Sequence, residues 1–226
     1  MTIDSGTSTD RRRARTAGVL FILATVSAIV GGVMILPIED GSADAADQAA
    51  LVRSGVLVEL ILAASVIAIA VTLYPVLRRR FEVSALAYVA ARTLEAAFIL
   101  IATLSALIVV TVGQGASASA GEPVAVDALM AIRDWSYFLG TVMIFAVTAL
   151  ILNYMLFVAR LVPAWLSVWG LVGAIAIGLG GIFALYGAEA SEGVDIDIAW
   201  SAAIGLQEMV LAFWLILRGF KAGEDV

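Results

Sequence analysis

A chain of 226 residues that is 62% hydrophobic and 14% charged, with a mean hydropathy of +1.05, lies far from the make-up of a soluble globule and near that of a polytopic membrane protein. The absence of histidine and cysteine excludes disulfides, a Ser-His triad, a cysteine nucleophile, haem held by either residue and typical zinc sites. A formal net charge of −6 argues against a nucleic-acid partner, so the expected partner is the lipid bilayer, with no cofactor and no metal.

Six apolar runs follow one another, at 17–37, 55–77, 83–112, 135–158, 163–186 and 198–217. Each reaches the roughly 20 residues that a spanning helix requires. The expected fold is therefore all-α, an integral membrane bundle of about six transmembrane helices. It forms a single membrane domain over 1–226, with a basic tail at 1–16 and a short tail at 218–226.

The first run follows Arg11, Arg12, Arg13 and Arg15 and precedes "ADA" at 43–45, an order that mimics a cleaved signal peptide. Its apolar stretch is longer than a signal core of about 7–15 residues, so it is expected to stay as the first span. Gly31 and Gly32 near its end could let a neighbouring helix approach closely. The second run carries Glu59 near one end and closes on Tyr74 and the basic link "RRRFE" at 78–82. Within the third, "AARTLEAAF" at 90–98 places Arg92 and Glu95 three residues apart.

A long polar link, "GQGASASAGEPVAVDALMAIRD", leads to the fourth run, which starts at Trp135 and contains Asn153. After "ARLVP" at 159–163 the fifth run holds "WGLVGAIAIGLGG", where Ala174 and Gly178, and Ala176 and Gly180, have the small-xxx-small spacing of close helix contacts. Trp135, Trp165, Trp169, Tyr74 and Tyr186 fall near span ends, where amphipathic rings anchor a helix at the headgroups. The sixth run contains Gln207 and Glu208.

Charge alternates between the links. Arg11, Arg12, Arg13, Arg15, Arg78, Arg79, Arg80, Arg160, Arg218 and Lys221 fall on one side, together with both termini. The other side carries Glu39, Asp40, Asp44, Asp47, Glu122, Asp127, Asp134, Glu189, Glu192, Asp195 and Asp197, with Arg53 and Arg133 as its basic residues. An excess of Lys and Arg marks the cytoplasmic side, so both termini are expected to be cytoplasmic, in a bacterial inner membrane. The basic runs at 11–15 and 78–80 set topology on this reading, with contact to anionic headgroups as a secondary role.

Arg92, Glu95, Glu59 and Glu208 remain inside spans, with Gln207 and Asn153 as polar neighbours. A central arginine costs about 2.5–3.5 kcal/mol on insertion scales, so these groups should point into the bundle. At about 1.5 Å per residue, Arg92 and Glu95 lie about 14 to 18 Å from one end of their span and Glu208 about 15 Å from an end of its own, all near the midplane. Glu59 sits about 6 Å from the outer end by the same count, where it pairs with Arg133 or faces water.

One guanidinium and two carboxylates do not balance. Either one glutamate carries a proton, or a cation, a ligand or water completes the site. Gln207 and Asn153 are the expected hydrogen-bond donors. Two readings compete: packing glue that fixes helix register, and a small-molecule, ion or proton site. Catalysis has less support, because "RTLE" offers no nucleophile beside a base, no paired aspartates and no serine with a partner, so no catalytic residue is assigned. A lipid-acting enzyme is the remaining class. Three spans per half permit an inverted repeat with Glu95 and Glu208 in equivalent places, followed by "AAFILI" and "MVLAFWLI".

The arginine-rich start before "AGVLFILA", the stretch "GVLVELILAASVIAIAVTLYPVLR", then "ARTLEAAF", "LVPAWLSVWGLVGA" and the closing "QEMVLAFWLILRGF" carry a likeness over nearly the whole chain. On these motifs it resembles an uncharacterised family of small bacterial multi-span proteins with a domain of unknown function. The resemblance implies six or so spans and membrane residence, and no substrate.

Overall fold

The structure, a computed structural model, describes residues 4–39, 48–113, 122–186 and 196–221. In chain order these form α1 (Asp4–Glu39), α2 (Ala49–Leu77), α3 (Glu82–Gly113), α4 (Glu122–Phe138), a π segment (Leu139–Ile144), α5 (Phe145–Val158), α6 (Ala164–Leu185) and α7 (Ile196–Leu217). No strand occurs among the described residues. α4, the π segment and α5 are one continuous rod, since Val124–Val158 reads as a single 35-residue apolar helix.

Five helices are long and apolar enough to cross a membrane, and the apolar part of α7, Ala202–Leu217, is the shorter sixth. The whole of α7 is 22 residues, about 33 Å at 1.5 Å per residue against a hydrocarbon core of about 30 Å. The protein is a membrane helical bundle. Each rod packs on the next in chain order and α1 also packs on α7, so the six close into a ring. The start of α1, the α2–α3 and α5–α6 turns and the end of α7 meet at one basic end.

In water a helix sorts polar from apolar residues. Here both faces of α1 are apolar. Ala14, Ala17, Phe21, Ala24, Ile35 and Ile38 are buried, with Gly31 on the same seam, while Val19, Leu23, Val26, Val30 and Val33 are exposed on the outer face. Lipid tails are as apolar as the interior, so the outer face stays apolar, and small residues such as Ala14, Ala17, Ala24 and Gly31 let backbones meet on the inner one. α3 buries a comparable stripe, Ala85, Tyr88, Arg92, Glu95, Ile99, Ala102, Ala106 and Val109, with the ionisable residues set into it.

The paired glycines of the first span divide. A Cβ on Gly31 would lie 2.9 Å from Glu59 Cγ on α2, whereas one on Gly32 meets nothing within 4 Å. On α6, Ala174 is buried and Gly178 would bring a Cβ to 3.3 Å from Ala146 Cβ of α5, while Ala176 and Gly180 are half-buried. The tighter α6 contact is at Gly170, where a Cβ would overlap the Asn153 amide. Gly18 plays the corresponding part between α1 and α7, at 2.6 Å from the Ala212 carbonyl oxygen. Trp135 and Trp165 are exposed, Trp169 and Tyr74 half-buried, and Tyr186 exposed at the end of α6.

Three expectations change. α1 starts at Asp4, so Arg11, Arg12, Arg13 and Arg15 lie on the first helix and not in a tail before it; α4 starts at Glu122, so Arg133 and Asp134 lie on a helix and not in a polar link; and α2 starts at Ala49, which puts Arg53 on a helix as well. Pro123 occupies the first turn of α4, where its missing N–H is tolerated. The run "VAVDALMAIRD" behind it contains no helix breaker. Asp40, Asp44, Asp47, Glu189, Glu192 and Asp195 lie outside the described residues.

Gly170→Ala should lower thermal stability by about 1–3 kcal/mol through overpacking. Gly32→Ala should be neutral or stabilising by up to about 1 kcal/mol, because a helical alanine beats glycine where nothing is in the way. Melting curves of the two variants in one uncharged detergent check this, and equal melting temperatures would count against the packing described.

Candidate functional site

Two buried ionic sites are stacked along the bundle, and α3 serves both. Glu59 on α2 lies about 27 Å from the basic end of its helix, while Arg92 lies about 15 Å from the basic end of α3, counting 1.5 Å per residue.

At the upper site Arg133 grips Glu59 with both terminal nitrogens, Nη2 to Oε1 at 2.7 Å and Nη1 to Oε2 at 3.2 Å. Arg133 Nη1 also donates to the Ala102 carbonyl at 3.0 Å, and the Thr103 hydroxyl lies 2.7 Å from Glu59 Oε2. The Arg133 guanidinium stands 5.7 Å from the Tyr137 ring. Side-chain exposure is 2% for Arg133 and 0% for Glu59. This is a closed, bidentate, charge-assisted pair that ties α2, α3 and α4 together. The pairing of Glu59 with Arg133 was one of the two outcomes expected for that glutamate, and the helical start of α4 makes it possible.

The lower site is less symmetrical. Arg92 Nη1 donates to Glu95 Oε1 at 2.9 Å and Oε2 at 3.2 Å, and Nε donates to the Tyr88 hydroxyl at 3.2 Å. Tyr88, Arg92 and Glu95 all belong to α3, where i, i+3 and i, i+4 neighbours share a face. Thr148 of α5 places its hydroxyl 3.3 Å from Glu95 Oε2. The Tyr88 and Phe145 rings are each centred 5.5 Å from the guanidinium carbon. Across the bundle, Glu208 of α7 brings Oε1 to 3.6 Å from Arg92 Nη2, an ion pair beyond hydrogen-bond reach. Arg92 Nη2 is buried and has no hydrogen-bond partner among the described residues. Glu208 keeps 17% of its side chain exposed against 3% for Arg92.

The π segment lies beside this site. Gly140 within it approaches α3 so closely that a Cβ would stand 2.9 Å from Phe98 Cβ and 3.4 Å from the Glu95 carbonyl oxygen. The Phe145 N–H points back to the Gly140 carbonyl, five residues earlier. Arg133, before this wider turn, faces the upper site, and Phe145 and Thr148, after it, face the lower one. Segments of this kind recur at functional sites.

Of the six candidate residues, Arg92, Glu95 and Glu208 come together. Glu59 belongs to the upper pair. Gln207 and Asn153 form a third unit: Gln207 Nε2 donates to Asn153 Oδ1 at 3.2 Å and to the Leu166 carbonyl at 3.1 Å, and Asn153 Nδ2 donates to the Ala149 carbonyl at 2.9 Å. Their amide donors link α5, α6 and α7 and are not given to the carboxylates. Tyr88 and Thr148 complete the lower site without having been anticipated. Tyr88, four residues before Arg92 on the same face, is the one that helical periodicity points to. No group of three or more acidic residues able to hold a metal occurs among the described residues.

Residues 16–219 match the model of a family described as Domain of unknown function (DUF4386). The chain is a DUF4386 protein. No curated protein and no solved structure matches it. Both ionic sites of this DUF4386 protein lie inside the matched stretch, which stops short of Asp10 and Arg11 on one side and of Lys221 on the other.

Arg133→Leu should cost about 3–5 kcal/mol, because it strands the Glu59 carboxylate in an apolar interior, and Glu59→Leu/Arg133→Leu should restore most of the loss. Arg92→Leu, which strands Glu95 and Glu208, should likewise lower the melting temperature more than Arg53→Leu on the exposed face of α2. A double variant no more stable than Arg133→Leu, or equal effects at positions 92 and 53, would refute the pairing argument.

Proposed function

We propose that this protein is a membrane-embedded binder or coupling component for a proton or small monovalent cation, with Glu208 as the exchanging group. The observation that carries this reading is the unequal grip on Arg92. Glu95 takes one nitrogen at 2.9 Å, while Glu208 stands 3.6 Å from a second nitrogen that has no hydrogen-bond partner among the described residues.

The physical reasoning concerns what each group needs. Arg92 and Glu95 neutralise each other within one helix and stay paired whatever α7 does. Glu208 brings a second negative charge to a site whose positive charge is already matched, and an uncompensated carboxylate inside a bilayer is costly. A proton or a monovalent cation restores neutrality, and its loss draws Glu208 toward Arg92 Nη2. Uptake and release therefore change the contact between α3 and α7. Glu208 is also the less enclosed of the two carboxylates, with 17% of its side chain exposed against 4% for Glu95.

A second reading, packing glue in a structural or regulatory component, is favoured by the upper site, where Glu59 and Arg133 are completely paired and shielded. Infrared spectroscopy of the protein in lipid separates the two. An undissociated carboxylic-acid band that disappears in Glu208→Gln and persists in Glu59→Gln is expected if a proton compensates. If a cation does so, that band is absent and Na⁺ or K⁺ raises the melting temperature of the wild type but not of Glu208→Gln. With neither response, the exchange reading fails and packing glue stands.

A further inference from the structure

Ten basic residues at one end of a membrane protein need no explanation beyond topology, but a topology signal requires only that they lie in the right links. In the folded chain they do more. An open cavity of about 1070 Å³ lies at the basic end, with Arg11 of α1, Arg79 and Arg80 of the α2–α3 turn, and Arg218 and Lys221 after α7 among its walls. Val76, Leu77, Leu161, Leu217 and Phe220 supply apolar lining. Cations from three separate parts of the chain thus converge on one concavity whose walls are partly greasy.

The acid on this cavity is already engaged. Asp10 accepts from Arg79 with both oxygens, at 2.6 and 2.9 Å, and from Arg13 at 3.2 Å. Arg11, Arg80, Arg218 and Lys221 have no carboxylate partner among the described residues. Lys221 is also held in place. Gly219 adopts φ +73, a left-handed conformation open to glycine, and ends α7. The turned-back chain then donates the Lys221 N–H to the Leu161 carbonyl at 2.8 Å. A backbone bond between the α5–α6 turn and the end of α7 is unnecessary for a topology signal and useful for a binding wall.

From this geometry we infer that the basic-end cavity is a binding site for a phosphate-bearing anion, a phospholipid headgroup or a soluble phosphorylated compound. Guanidinium groups match phosphate oxygens in bidentate fashion and an ammonium adds a point charge. The volume is close to the upper end of common ligand sites, about 300–1,000 Å³, and the apolar lining suits the glycerol and upper acyl carbons of a lipid. The site is independent of the exchange reading for Glu208.

The test uses the full chain in an uncharged detergent, with thermal stabilisation measured against dihexanoyl phosphatidylglycerol, dihexanoyl phosphatidylcholine and glycerol phosphate. Phosphatidylglycerol should stabilise the wild type, and Arg80→Gln/Arg218→Gln/Lys221→Gln should weaken its apparent affinity at least tenfold. Arg12→Gln/Arg15→Gln/Arg78→Gln, which removes the same charge from positions that do not line the cavity, should weaken it less than threefold. Stabilisation by glycerol phosphate as well assigns the site to free phosphates, and its absence assigns it to the lipid. The proposal is overturned if no anionic probe binds, if phosphatidylcholine binds as well as phosphatidylglycerol, or if the two triple variants lose affinity equally. Should the cavity triple fail to fold, Arg80→Gln and Arg218→Gln singly carry the comparison, each expected to weaken binding at least threefold.

Discussion

A guanidinium cannot be left alone in hydrocarbon, and that constraint ties α2, α3, α4 and α7 together. Arg133 reaches its partner on α2 and a carbonyl on α3. Arg92 carries its nearest partner on its own helix and meets a second on α7. Between them, the two arginines make direct polar contacts to α2, α3 and α7, with α4 and α3 as their own supports. Apolar packing alone would not be so selective, since lipid tails compete with side chains for the same dispersion contacts. What apolar packing contributes is closeness: small residues at Gly18, Gly31 and Gly170 bring α1 onto α7, α1 onto α2 and α6 onto α5 until polar atoms are screened from the bilayer.

The two sites solve the same problem differently. At the upper site one positive and one negative charge meet in a bidentate fork, with a hydroxyl and a carbonyl taking the remaining bonds. The positive and negative charges are matched one to one in this contact. At the lower site the fork is spent within α3, so the helix arrives already neutralised and the contact with α7 is an excess. A pair made within one helix holds no other helix in place. Its interhelical contacts are the longer ones, a Thr148 hydroxyl 3.3 Å from Glu95 and a Glu208 oxygen 3.6 Å from Arg92. A register lock built by the same logic as the upper site would show the reverse distribution.

Much of the fold was legible because the membrane imposes a length and a charge rule that hydropathy and Lys/Arg counting read directly. The helical class, the six rods and the shared basic end follow from those rules. The start of α4 was not legible by them, because Asp127, Arg133 and Asp134 lower the local hydropathy until Trp135, although Pro123 in a first turn marks a helix start on other grounds. The grouping of Arg92, Glu95 and Glu208 followed from depth alone. Depth says nothing of azimuth, however, and Gln207, next to Glu208 in sequence, projects about 100° away around α7. It therefore joins Asn153 on another face. The π segment had no periodic signal to announce it.

One rod serves both sites, and the π segment lies between its two contributions. α3 presents a continuous stripe from Tyr88 to Val109, so its two polar stations lie on the same side, one above the other. The rod facing it must bring Arg133 against the upper station and Phe145 and Thr148 against the lower one. A straight α-helix fixes the angle between such positions at about 100° per residue, and a wide turn between them frees that angle. The turn falls at Leu139–Ile144, after Arg133 and immediately before Phe145, and Gly140 lets it press against the Glu95 carbonyl. The irregularity thus sits between the residues that serve the two stations, and its neighbour across the contact is the residue that already satisfies Arg92. Phe145 and Thr148, which follow the turn, belong to the lower site, and Arg133, which precedes it, belongs to the fork at Glu59.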